Sequence, residues 1–330
     1  MDLISQDSLR QILSDFGLPE LVDWRLLRRS AVKRDEMTRV AFGEHPAVLI
    51  RFHDPQYYRH SVIEQQTRFR SYLYSTGIPV ARLYHTSDGA LYRDLRLSGE
   101  DWPVTVEQWV DGESPQTVTL ALVALMGQTL SRMHAAAPGS RVWFGHGTRM
   151  SLLVDGEQYA ANAGMLRDVF CECGLGQDAQ SLLFDPWEVA RKRLRSLWHD
   201  LPRGPVHADF AEYNLLLDET ENIAAVIDFN RAGDDVFVNE LAHACLRLPS
   251  SGQDEHDRVN LSRFVAAYEE VRPLSDRERL SIPYLITAIR PFRWREVSPL
   301  LKAADKPNAD ALRQGLARLV RLADPSTLMG

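Results

Sequence analysis

The chain has 330 residues, 45% of them hydrophobic, and sets 45 acidic side chains against 38 Lys and Arg for a formal net charge of −7. This supplies one large core or two smaller ones, and it argues against nucleic acid or an anionic membrane as the main partner, since both are held through clustered Lys and Arg. No run reaches the roughly 20 apolar residues of a bilayer span, and the N-terminal residues lack a signal peptide's basic and apolar regions, so a cytoplasmic protein is expected.

Taken in chain order, residues 8–16 read as a short amphipathic helix with Asp7 as its cap, and 23–29 as a first strand. Strands are expected over 38–42 and 47–52 around a turn at 43–46. A helix over 61–76 stops at Gly77-Ile78-Pro79, a hairpin turns at Asp88-Gly89, and a strand spans 103–110. Beyond it the pattern is mainly helical. Leu122, Met126, Leu130 and Met133 form one face of a helix over 119–137. Asp185 is expected to cap a further helix with Pro186 in its first turn, Glu188 closing a capping box and Trp187, Ala190, Leu194, Leu197 and Trp198 as its stripe. Residues 252–330 are helical in pattern and end in a helix over 309–323, capped by Asn308 and followed by Pro325. Cys171, Cys173 and Cys245 are too few for a disulfide framework, and a Cys-x-Cys pair is too small for structural zinc.

Two segments carry chemistry. His207-Ala208-Asp209 is followed, after four residues, by Asn214, and Asp228 comes fourteen residues later, just past the apolar run Ala224-Ala225-Val226-Ile227. Leu215-Leu216-Leu217 and that run read as two strands joined by the polar turn 218–222, which brings Asn214 near Asp228. Moving a phosphoryl group from ATP to a hydroxyl needs these groups in this order: one carboxylate to take the hydroxyl proton, then an amide oxygen and a second carboxylate to hold Mg²⁺. As lone residues, Asp209 also suits a turn cap and Asp228 a strand end.

The segment resembles the aminoglycoside phosphotransferase and choline kinase group, which includes bacterial type II homoserine kinases and is distantly related to protein kinases. The usual His-Gly-Asp is His-Ala-Asp here. The resemblance implies an α+β, bilobal, protein-kinase-like fold. Residues 1–110 form a small β-rich nucleotide-binding lobe with one helix, and residues 111–330 form a larger, mainly helical lobe for catalysis and acceptor binding. It also implies ATP and Mg²⁺ as cofactors and a small-molecule hydroxyl acceptor: an antibiotic such as an aminoglycoside or nucleoside, or an amino alcohol such as homoserine. A monomer or homodimer is expected.

By the same resemblance Asp209 is the base, Asn214 and Asp228 are the metal ligands, and His207 braces the loop. Glu240 stands where relatives have the aspartate of Asp-Leu-Ala, which anchors the helix behind the site. Arg51 occupies the third-strand position of the phosphate-binding lysine, and Glu64 on the next helix is its candidate partner. Alternatively, Arg51 is a surface residue at a strand end and Glu64 a favourable acid at a helix N-terminus. Residues 28–39 contain no glycine, so the Ser30 backbone is left to approach a phosphate. Glu107 and Trp109 lie in the segment that resembles the adenine-binding connector. Arg231, Asp234 and Asp235 are expected at the site's mouth, where acids attract an amine. The basic and aromatic stretch Ile289 to Glu296 is able to hold a carboxylate or phosphate of the acceptor. A nucleotide-binding scaffold without turnover and a protein Ser/Thr kinase are the rival classes. Against the second, no motif resembles the end of a protein kinase activation segment.

Overall fold

The computed structural model of the protein describes residues 5–29, 36–41, 46–97, 99–152, 158–249, 254–304 and 309–328. The first elements in chain order are α1 (Gln6–Asp15), β1 (Asp23–Arg29), β2 (Glu36–Ala41), β3 (Val48–Phe52), α2 (His60–Ser75), β4 (Arg93–Leu97), β5 (Glu100–Gln108) and α3 (Leu120–Ala136). Next come α4 (Gln158–Glu172), α5 (Gln177–Leu197), β6 (Arg203–Val206), β7 (Leu215–Leu217), β8 (Ile223–Val226), β9 (Gly233–Val236) and α6 (Phe237–Arg247). The chain ends with α7 (Asp254–Glu269), α8 (Asp276–Ile289), α9 (Trp294–Ala304) and α10 (Ala309–Ala323). Two compact units result: Met1–Pro115 with Ala136–Phe144 and Tyr213–Asn230, and Gln116–Ala135 with Gly145–Glu212 and Arg231–Gly330.

The first unit is built on a five-stranded antiparallel sheet in the order β1-β2-β3-β5-β4. Alternation decides what β3 does: Val48, Ile50 and Phe52 bury against Trp102, Val104 and Val106 of β5 and against Leu9, Ile12 and Leu13 of α1. Arg51 points to the opposite face and pairs across with Thr105. The α1 cap is Ser5, whose hydroxyl accepts from the Ser8 N–H at 3.1 Å, and Asp7 falls inside the first turn. The expected hairpin at Asp88-Gly89 is a local turn closed on Thr86, with Gly89 at φ +86°. The paired hairpin is β4–β5, with Leu97 opposite Glu100, because that register buries Leu95 and Trp102. The strands β7 and β8 join this unit through Val226 N–H to Pro79 C=O and Glu113 N–H to Leu217 C=O. A Cβ on Gly112 would lie 2.8 Å from the Leu217 carbonyl oxygen, so only glycine permits that approach.

The second unit is mainly helical around one core that joins α4, α5, α8 and α10 through residues such as Phe170, Leu183, Leu194, Leu285, Phe292 and Leu312. The helix expected from Asp185 starts at Gln177 and runs through Pro186. Proline costs a helix interior about 3 kcal/mol, but Leu183, Phe184, Trp187, Ala190 and Leu194 continue one buried stripe across it, and that packing outweighs the loss. Residues 233–236, whose acids are expected at the site's mouth, form β9, which pairs antiparallel with β6. Among the described residues no helix is long and apolar enough to cross a membrane, and the three cysteines are free thiols. The Asn308 cap and most of the turn at 43–46 lie outside the described residues.

Candidate active site

The β7–β8 hairpin of the first unit positions Asn214 and Asp228. Leu215 pairs with Val226, and the Ile227 N–H donates to the Asn214 carbonyl at 2.9 Å. In that register Asp228 is the diagonal neighbour of Asn214, at one end of a strand pair about 5 Å apart. Asp228 takes φ +64°, a left-handed conformation that costs a residue with a Cβ roughly 1–2 kcal/mol. Its half-buried carboxylate makes no hydrogen bond or ion pair among the described residues. An amide oxygen and a free carboxylate are hard donors, the kind Mg²⁺ takes alongside phosphate oxygens and water, so this pair fits that ion.

The same unit holds a narrow cleft between β3, β5 and α2 whose lining includes Arg51, Gln66, Arg70 and Asp228. Glu107 backs two of these residues, ion-paired to Arg70 and lying 3.9 Å from Arg51. Burial alone raises the Glu107 pKa, but the Arg70 and Arg51 guanidiniums override it and hold the carboxyl below its ordinary range. His53, with Nε2 3.1 Å from the Thr105 hydroxyl, is kept well below its usual pKa by burial, then by Arg51 and Arg70, and is neutral. Arg51 Nε, Arg70 Nε and Gln66 Nε2 are buried donors with no hydrogen-bond partner among the described residues. An anion in the cleft would use them.

Arg51 therefore does not pair with Glu64, which sits 3.4 Å from Arg68 on the exposed face of α2. The buried stripe of α2 is Ile63, Gln66, Thr67 and Phe69, and Glu64 lies off it. The rotation of the helix, set by that stripe, presents Arg70 to the sheet instead. Arg70 escaped the sequence reading. Its signal was Gln66, Thr67 and Arg70 at helical spacing among apolar residues, too polar a run for an ordinary core. Glu107 acts through its side chain in this cluster. Trp109 donates Nε1–H to Asp111 at 2.8 Å, and Ser30 lies outside the described residues.

In the second unit, β6 leads into the loop that holds Asp209. Ala208, where relatives have glycine, sits at φ +62°. The left-handed turn frees two N–H groups for one carboxylate: Ala208 N–H and His207 N–H both donate to Glu240, the latter at 3.2 Å. Glu240 also meets His134 Nε2 at 2.8 Å, and His134 Nδ1 lies 2.8 Å from the Tyr268 hydroxyl. Burial raises the Glu240 pKa, but His134, His207 and the Ala208 N–H together outweigh it and the carboxyl ends below its usual value. His207 accepts the Asp209 N–H on Nδ1 at 3.2 Å and is fully buried. Asp209 pairs with Arg247, from the last turn of α6, and with the exposed Arg231 at 3.4 Å. Arg247 was not foreseen, because a basic residue at a helix C-terminus is already explained by the helix dipole.

Asp234 and Asp235 do not face outward. Pairing with β6 buries β9, and Asp234 accepts the Gly145 N–H at 2.9 Å. Asp235 accepts from Thr148 Oγ1 at 2.7 Å, Asn239 Nδ2 at 2.9 Å and the Val236 N–H, and burial pushes its pKa up to about 6. Both are occupied within the fold.

With this geometry in place, comparison with known proteins is informative. A match to the phosphotransferase enzyme family covers residues 36–281. The homoserine kinase of Rhodospirillum rubrum is 30% identical over 216 residues, 65% of this chain and 62% of that relative. An aminopropanol kinase associated with a microcompartment superposes with TM-score 0.61 at 18% identity, over 98% of this chain and 95% of its own. An amicoumacin kinase in complex with AMP-PNP and Ca²⁺ gives TM-score 0.61 at 15% identity, over 98% and 94%. The fold is kinase-like.

Proposed function

This chain belongs to the phosphotransferase enzyme family, and we propose that it uses ATP to phosphorylate a hydroxyl of a small molecule, with amino alcohols such as homoserine as the first acceptors to test. One observation carries the reading: a single cleft gathers Arg51 and Arg70, with buried donors unspent among the described residues, and the Asp228 carboxylate, which pairs with none of them. Phosphate oxygens and a divalent cation are the partners that such a lining lacks. Mg²⁺, when bound, neutralises charge on the β- and γ-phosphates. Asn214 and Asp228 hold it, while Arg51 and Arg70 grip phosphate oxygens.

Asp209 orients the acceptor hydroxyl and takes its proton on a carboxylate oxygen as that hydroxyl's oxygen bonds to the γ-phosphorus of ATP and the bond to the β–γ bridging oxygen breaks, releasing ADP. Glu240 and His207 hold the backbone that carries it. Arg247 and Arg231 fix the direction in which its carboxylate points. Backbone groups of the residues that follow the Glu107 to Val110 segment receive the adenine. The reaction is placed in the cytoplasm, with the protein a monomer or homodimer.

The test is ADP release with homoserine and related amino alcohols. Asp209→Asn should lower kcat by roughly 10²–10⁴-fold, the range for loss of a general base, with the KM for ATP little changed. Asp228→Asn should raise the Mg²⁺ concentration required. Wild-type kcat in Asp209→Asn would remove Asp209 as the base.

A further inference from the structure

The second unit contains a cavity of about 400 Å³, a volume typical of small-molecule sites. Arg290, Arg293, Arg295, Arg318 and Arg321 line it, opposed by the carboxylates of Asp257 and Glu296. Its described lining therefore carries three positive charges in excess, in a chain whose net charge is −7. Glu296 is committed to Arg295, at 2.9 Å, and to Arg318. Arg290 donates to Thr327 Oγ1 at 2.7 Å, and Arg293 donates to the Leu246 carbonyl. Arg321 makes no side-chain hydrogen bond or ion pair among the described residues. A guanidinium has five N–H donors, so Arg321 has its own to offer. Crowding is felt electrostatically: burial first, and then Arg295, lowers the Arg293 pKa to about 10.

The cavity shares the end of α6 with the residue that pairs with Asp209. Cys245, Leu246 and Leu248 belong to its wall, and they flank Arg247, which ion-pairs with Asp209. The end of α6 thus serves both Asp209 and the arginine cavity. Guanidinium forks match carboxylate and phosphate in two-point contacts. A polycation would meet net repulsion from the three excess positive charges.

We propose that this cavity receives an anionic group of the acceptor, a carboxylate or phosphate, while the acceptor's hydroxyl lies at Asp209. The acceptors are hydroxylated compounds that carry such an anionic group, as homoserine does, and polycationic aminoglycosides are excluded. The proposal rests on Asp209 as the base, but its decisive measurement does not.

Full-length protein without nucleotide is titrated calorimetrically with malate and with inorganic phosphate. Binding should weaken roughly tenfold or more in Arg321→Gln and Arg293→Gln, the scale of one lost charge-assisted hydrogen bond, and persist in Asp209→Asn. The exposed Arg321 keeps the test available if Arg293→Gln fails to fold. Arg51→Gln identifies any phosphate bound in the first unit's cleft instead. Tighter malate binding identifies a carboxylate acceptor, and tighter phosphate binding a phosphorylated one. In turnover, homoserine should exceed 3-aminopropan-1-ol, which lacks only the carboxylate, at least tenfold in kcat/KM, and Arg321→Gln should erase the difference. Anion binding unchanged in both arginine variants, or equal use of the two alcohols by wild type, overturns the proposal. Retained turnover in Asp209→Asn strikes the base assignment and leaves the cavity standing.

Discussion

Replacing Glu240 by alanine should lower the melting temperature by roughly 6–12 °C and reduce kcat with it. Glu240 is buried and accepts from the Ala208 N–H, the His207 N–H and His134. Alanine strands two buried backbone donors, each costing about 1–3 kcal/mol. Taking about 3 kcal/mol for the pair, and about 2–4 °C per kcal/mol for a unit of this size, gives that range. Glu240→Gln keeps the volume and one acceptor oxygen, so its loss should be about half. The carboxyl's pKa is depressed in the fold, so its contribution is present above the ordinary carboxylate range and disappears as pH falls through the folded value. The alanine variant should consequently show a shallower acid limb than wild type. Calorimetric melts between pH 4 and 8, read beside kcat from ADP release, make the test. An alanine variant that melts within about 1 °C of wild type with unaltered kcat would refute the bracing role.

Other expectations follow from single residues. Ala208→Gly removes roughly 1–2 kcal/mol of left-handed strain and adds about 0.4–1 kcal/mol of unfolded-state entropy, so a small gain, near 0.5 kcal/mol, is expected in urea denaturation. Glu107→Gln leaves Arg51 and Arg70 buried without their shared carboxylate and should cost about 3–5 kcal/mol, measurable by the same method. In Gly127→Ala the new Cβ would lie 2.4 Å from the Phe264 carbonyl oxygen, forcing α3 from α7 at about 1–3 kcal/mol, visible as a lower melting temperature. His243 is held at about 3 by burial, then by Arg247 and Arg293. Its contribution is complete above its ordinary value near 6.5 and declines as pH falls towards 3. His243→Phe, which retains the ring stack on Tyr159, should flatten that decline.

What the sequence determined by itself is local. The β7–β8 hairpin is written in two apolar runs around a polar turn, where Asp218 Oδ1 accepts the Thr220 and Asn222 N–H groups. The spacing of His207, Asp209, Asn214 and Asp228 could be read because phosphoryl transfer demands those groups in that order. β3 and α2 followed from their periods of 2 and 3.6.

Tertiary structure decided the rest. Arg51 meets Glu107 because β3 pairs with β5, and Arg70 joins them because the buried stripe of α2 sets its rotation. Pairing of β9 with β6, distant in sequence, turned two surface acids inward, and core packing carried α5 through a proline that local propensity takes as a helix start. Local patterns record what a segment favours alone. Which partner a charge finds depends on how distant segments bury their apolar faces, and that free energy appears only once they meet.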